Sequence, residues 1–207
     1  MKVDIHKVYE LSSSRPNTLF IIQRALQMNP KDRNLHRMLI NTLIQMGRFA
    51  TARGLLEKVK PLMNKMDFAK WSDELGEWEK ALEIYKQHKA GLPLILNCLE
   101  EMCEYNEIAK YESVFQQMTD DEKREVMDHF LWVFQLKNEK EKVEEIIRLI
   151  GDEWTLFRVI FAVYYYIKSG KYEKAKELIG IGYEILANNK NEYSLGDHNQ
   201  LTEIHRM

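Results

Sequence analysis

At 207 residues, 45% of them hydrophobic, the chain is long enough to bury a core in one or two domains and too apolar for a disordered tail. Thirty basic residues against thirty-two acidic ones leave a formal charge of −2, without the strong positive field that nucleic-acid binding normally needs. Only four prolines and nine glycines occur among abundant Leu, Glu, Lys, Met and Ala, which disfavours a strand-rich fold and sets an all-α expectation.

Residues 1–14 are mostly polar, and the first convincing helix starts after Ser14 with Pro16 in its first turn and no partner before it. A junction follows at Gly47-Arg48-Phe49-Ala50-Thr51-Ala52. Phe68, Trp71 and Leu75 at helical spacing then lead into Gly76-Glu77-Trp78-Glu79-Lys80-Ala81, after which Trp78, Ala81, Leu82 and Tyr85 continue the period. Pro93 opens a helix that carries Cys98 and Leu99, and Glu104-Tyr105-Asn106-Glu107-Ile108 is a weaker copy of the junction. Thr119 and Glu122 form a capping box for a helix with Val126, Phe130 and Val133 on one face. A second weak junction, Asn138-Glu139-Lys140-Glu141-Lys142-Val143, precedes Val143, Ile146, Ile147 and Ile150. Asp152 is placed to cap a helix beginning near Trp154. That helix is apolar nearly all round from Leu156 to Ile167; it is expected either to lie between neighbouring repeats or to offer Phe157, Phe161, Tyr164 and Tyr165 as a contact surface. The last junction is Gly170-Lys171-Tyr172-Glu173-Lys174-Ala175. Asn188-Asn189-Lys190-Asn191 breaks the final helix, beyond which Leu195, Leu201 and Ile204 are scattered.

The recurring phrase is Gly, charge, aromatic, two residues, Ala, and its copies fall roughly 27 to 35 residues apart, the period of stacked helix pairs. Gly takes the left-handed conformation that ends a helix without steric cost. The aromatic is expected to fill the wedge between the two helices, and Ala to let their backbones approach. These steps predict an α-solenoid of about five tetratricopeptide-like helix pairs over residues 15–187. Residues 1–14 would be a polar N-terminal segment, and 188–207 a polar C-terminal tail or the start of a missing repeat.

Chemistry-bearing patterns are sparse. Histidines at 6, 36, 88, 129, 198 and 205 are dispersed without metal-ligand spacing, so no metal or other cofactor is expected. A phosphate-cradling glycine loop, the catalytic-loop phrases of protein kinases and a Gly-x-Ser-x-Gly elbow are missing, and no enzyme activity is expected. Carboxylate pairs such as Glu100-Glu101, Asp120-Asp121 and Glu144-Glu145 read as solvated helix faces, and Trp71 and Trp78 as residues wedging a helix pair rather than a ligand box. Cys98 and Cys103, five apart in one helical stretch, turn to different faces and read as small core residues without a disulfide. The longest apolar stretch, Trp154 to Ile167, has 14 residues interrupted by Thr155 and Arg158, too short for a bilayer. A cytoplasmic or nuclear location is expected by default.

The stretch Trp71-Ser72-Asp73-Glu74-Leu75-Gly76-Glu77-Trp78-Glu79-Lys80-Ala81-Leu82-Glu83-Ile84-Tyr85 resembles the Trp-Tyr-x-Lys-Leu-x-x-Trp-x-x-Ala-Leu segment of the FAT domain in target-of-rapamycin kinases. The downstream residues resemble that domain in order as well, with Asn97-Cys98-Leu99-Glu100 in the next helix and Glu104-Tyr105 where that family has a Leu-Gly-Glu-Trp turn. Ser72 departs from the usual aromatic, and Cys103 stands where the turn normally has Gly. The resemblance implies a curved array of tetratricopeptide-like repeats clamping a phosphoinositide-kinase-like catalytic domain, in cis or in trans. It marks Trp71, Leu75, Trp78, Ala81, Leu82, Tyr85, Cys98, Leu99 and Tyr105 as structural positions of that array. The alternatives are a free-standing tetratricopeptide-like adaptor holding a peptide or partner helix in a concave groove, and, more distantly, an enzyme hidden in a helical fold.

Overall fold

A computed structural model describes residues 15–188; these are helical and turn residues, with no strand among them. The expected all-α class is what the described residues form. They divide into two compact units, one running through Glu107 and the other starting at Ile108. The sequence features at residues 1–14 and 189–207, including Leu195, Leu201 and Ile204, lie outside the described residues.

The first unit contains α1 (Arg15–Met28), α2 (Arg33–Gln45), α3 (Phe49–Val59) with a 3-10 turn at Lys60–Leu62, α4 (Lys65–Glu74), α5 (Trp78–Gln87) and α6 (Leu92–Glu101). Sequence-adjacent helices pack on one another: α1 on α2, α2 on α3, α4 on α5 and α5 on α6. Their starts are set by local chemistry. Asp32 accepts from the amides of Asn34 (2.9 Å) and Leu35 (3.2 Å), and Asn64 accepts from the amide of Asp67 (2.7 Å), which satisfies donors that a helix N-terminus leaves open. Ile22, Leu35, Ile40, Leu43, Ala52, Leu56, Phe68 and Leu75 form the core, with Trp71 packed half-buried against it.

α7 (Tyr105–Ala109) spans the division between the units. The junction at Glu104 therefore opens a five-residue helix rather than a full second helix, a departure from the regular pair that the weak phrase there suggests.

The second unit contains α8 (Glu112–Gln117), α9 (Asp120–Leu136), α10 (Lys140–Ile150), α11 (Leu156–Lys168) and α12 (Tyr172–Asn188); α9 packs on α10 and α11 on α12. Thr119 and Glu122 close the capping box of α9, the Thr119 amide donating to Glu122 Oε2 at 2.9 Å. Phe115, Phe130 and Phe134 cluster in its core, Phe115 and Phe130 stacked with ring centroids 4.3 Å apart. One expectation is corrected at α11. Thr155, not Asp152, caps it by accepting from the Arg158 amide (3.3 Å), because the helix begins at Leu156 and Asp152 lies too far upstream to reach its free amides.

Polar contacts also tie helices that are two apart in sequence. In the first unit Glu57 of α3 pairs with Lys80 of α5 (2.6 Å), while between consecutive helices Arg53 of α3 donates from Nε (3.1 Å) and Nη2 to the Leu75 carbonyl at the end of α4. In the second, Glu112 of α8 takes Lys142 of α10, and Glu144 of α10 takes Lys171 at the head of α12. Arg158 of α11 grips Asp128 of α9 with Nε to Oδ1 at 2.9 Å and Nη2 to Oδ2 at 3.0 Å.

Candidate functional site

Among the described residues six helix ends share one hydrogen-bond pattern. After α2 the Gly47 amide donates to Ile44 O and the Arg48 amide to Leu43 O, both at 2.8 Å; Gly76 and Glu77 repeat this after α4, and Gly170 and Lys171 after α11. The three glycines have φ of 69°, 74° and 70°, the left-handed backbone that this closure requires. Lys89, Cys103 and Asn138 occupy the same position at φ 50°, 57° and 57° after α5, α6 and α9. The turn at Lys89 is not visible in the sequence, because no Gly-charge-aromatic phrase marks it.

The Ala of each full junction is buried, Ala52, Ala81 and Ala175 alike, so the residue that lets helices approach is where close approach occurs. The aromatic behaves differently. Phe49 is 45% and Tyr172 65% exposed, so neither fills a wedge, although each is the first residue of its helix. Trp78 is half-buried, its ring 3.7 Å from where a Gly76 side chain would begin. Leu82 and Tyr105 are half-buried, while Leu75, Tyr85, Cys98 and Leu99 are buried.

Tyr85 and Cys98 converge on Asp73. The Tyr85 hydroxyl donates to Asp73 Oδ2 across 3.4 Å, and the Cys98 thiol bonds the same carboxylate. Burial, then the Asp73 charge, pushes the thiol up to about 12, so Cys98 is a neutral donor at physiological pH rather than a nucleophile. Burial likewise raises Asp73 above the usual carboxylate range, and burial together with Asp73 raises Glu74. Both cysteines are free thiols, Cys98 buried and Cys103 exposed, so Cys103 is not the core residue its spacing suggests.

Three of the concavities near these elements are lined by residues described above. One of about 580 Å³ is lined by Phe49, Arg53, Asp73, Glu74, Leu75, Gly76, Trp78, Asn97 and Glu101. A second, of about 530 Å³, has Trp78, Leu82, Leu99 and Met102 among Glu79, Lys86, Glu104 and Glu107. The third, in the second unit, holds about 240 Å³ between Phe134, Asn138, Val143, Tyr165 and Lys168. Among the described residues no group of three His, Cys, Asp or Glu side chains is placed to hold a metal ion, and no helix is long and apolar enough to cross a membrane.

The largely apolar α11 divides its aromatics between two roles. Phe161 and Tyr165 are buried, Tyr165 reaching Lys140 O and Glu144 Oε1 at 3.3 Å, whereas Phe157 and Tyr164 stay exposed. Phe157 does not stand alone: the Trp132 ring of α9 lies 6.3 Å from it and 5.4 Å from Phe161, and Leu136, one turn on, is 65% exposed. No family model matches the chain, and neither does any curated protein. The surface is therefore read from its own residues: an aromatic edge of Trp132, Phe157 and Leu136, with Tyr164 further along α11. Sequence reasoning misses Trp132 and Leu136 because Val126, Phe130 and Val133 already account for one face of α9. The signal is a second stripe, Trp132 and Leu136 at i and i+4, on a helix whose core side is complete.

Proposed function

We propose that this chain is a non-catalytic helical-repeat scaffold that receives another protein on the aromatic edge of Trp132 and Phe157. Exposure of two large rings in mutual contact, on helices whose other faces are packed, carries the reading. Desolvating such a pair is favourable, and tryptophan and other aromatics are enriched among residues that dominate binding energy. The finer architecture belongs to the same proposal: about five tetratricopeptide-like helix pairs stacked as an α-solenoid. Its support is the repeated turn closure and the polar ties that join several helices to the one two ahead, the contact that stacked pairs make. The Trp71 to Tyr85 segment supports a narrower form, a FAT-like region of a target-of-rapamycin-type serine/threonine kinase in the cytoplasm or nucleus. In that form the partner is a phosphoinositide-kinase-like catalytic domain, which the scaffold clamps and regulates.

The test is affinity purification of the tagged chain from its native cells, with and without Trp132→Asp and Phe157→Asp. A kinase that copurifies with the wild-type chain and is lost from the folded double variant is the expected result. If partners are retained by the double variant, the aromatic edge is not the docking surface. If no kinase copurifies but another protein binds through this edge, the adaptor form stands and the kinase form falls.

A further inference from the structure

Trp78 stands between two recesses of the first unit, and the walls on either side carry more negative charge than their own cations offset. Asp73, Glu74 and Glu101 line the larger recess beside Phe49 and Leu75. The guanidinium that lines it, Arg53, is engaged with the Leu75 carbonyl at the end of α4. Partial burial and a neighbouring carboxylate, Glu101 for Asp73 and Asp73 for Glu74, hold the protons of both more tightly than usual. Across the indole, Glu79 and Glu104 line the smaller recess with Leu82 and Met102, against the single ammonium of Lys86.

A concave surface with an aromatic ridge, apolar flanks and poorly offset carboxylates complements a cation carried on an apolar scaffold. Among biological cations the arginine guanidinium fits best, being planar, weakly hydrated, able to stack on an indole and to fork to a carboxylate. The same carboxylates repel a nucleic-acid backbone. We propose that this groove receives an arginine-bearing helical segment of a partner protein, a guanidinium stacking on Trp78 and pairing with Glu74 or Glu101 while an apolar neighbour covers Phe49. The inference rests on the scaffold reading and names the chemistry of one partner segment.

Fluorescence anisotropy of the full chain with two labelled peptides tests it. One is a short amphipathic helix of arginine and leucine; the other has glutamate in place of every arginine. The arginine peptide binds, the glutamate peptide does not, and the Glu74→Gln/Glu101→Gln variant weakens binding about tenfold or more. Trp78→Leu weakens it comparably, whereas Glu173→Gln/Glu177→Gln, which removes two exposed carboxylates on α12, leaves it unchanged. Glu74 and Glu101 are exposed, so these variants keep the fold, as circular dichroism checks. Failure of the arginine peptide to bind, or equal weakening by the α12 control, overturns the proposal. If copurification through Trp132 and Phe157 persists in that event, the groove assignment alone falls; if it too is absent, the scaffold reading falls with it.

Discussion

Cys103 holds φ 57° at a helix end where the three equivalent glycines sit near 70°, and a side chain with a Cβ is strained by that backbone in a way glycine is not. Cys103→Gly is expected to raise stability by roughly 0.5 to 1 kcal/mol in urea unfolding, since the cost of the left-handed turn outweighs the added freedom of the unfolded chain. Asp73 offers a second residue-level expectation. Its proton is held more tightly in the folded state than in the unfolded one, mainly by burial. The folded state is therefore unpenalised below the ordinary carboxylate range and loses stability as pH rises through the raised value. Asp73→Asn removes the charge but keeps an acceptor for Tyr85 and Cys98. It should unfold at higher urea than the wild type at neutral pH, with the gain vanishing in acid; a gain that persists in acid would show that the charge is not its source. Nothing in the sequence announces this cluster. Asp73, Tyr85 and Cys98 sit on three successive helices, and only folding brings them together.

Helix ends are the most legible elements, because their causes are local. Gly47, Gly76 and Gly170 stop helices for a steric reason visible in the residue itself, and Thr119 with Glu122 starts one through bonds within four residues. Fates of the junction aromatics are less legible, since burial depends on which neighbouring helix lies above the turn. Arg158 is a case between the two. In sequence it interrupts an apolar run; in the fold its side chain is 11% exposed and doubly bonded to Asp128 of α9. Asp128→Ala removes the anion beside a largely buried guanidinium and leaves it the Glu153 carbonyl as partner, and should cost about 1 to 3 kcal/mol, more than the roughly 0 to 1 of an ordinary surface pair. A double-mutant cycle with Arg158→Leu separates coupling between the two residues from the packing of each alone.

At the scale of the molecule, the all-helical class follows from composition and period, whereas the interaction surfaces do not. A sequence shows that Phe157 and Trp132 are apolar, but not that the fold leaves them open beside each other. The polar ties between alternate helices are equally hidden, their partners standing far apart in the chain. Glu57, Glu112 and Glu144 are each held below the usual carboxylate range, chiefly by the hydrogen bond from Lys80, Lys142 and Lys171 respectively. Groups depressed in this way contribute stability above the unfolded carboxylate value and lose it as pH falls through the lower, folded one. Acid should therefore lower the melting temperature across that window. Raising the salt concentration at neutral pH should lower it only slightly, because partly exposed pairs are screened and weak. A melting temperature indifferent to acid would remove these pairs from any account of how the helices are held.

The turn closures have a kinetic consequence. Each is made by a handful of consecutive residues, and within each unit the principal helix contacts join neighbours in sequence. Little loop entropy must be lost before packing begins to offset it, so a hairpin can form as soon as its second helix exists. During synthesis the first unit would gain its hairpins in the order in which they are made, each new pair finding the previous one already in place.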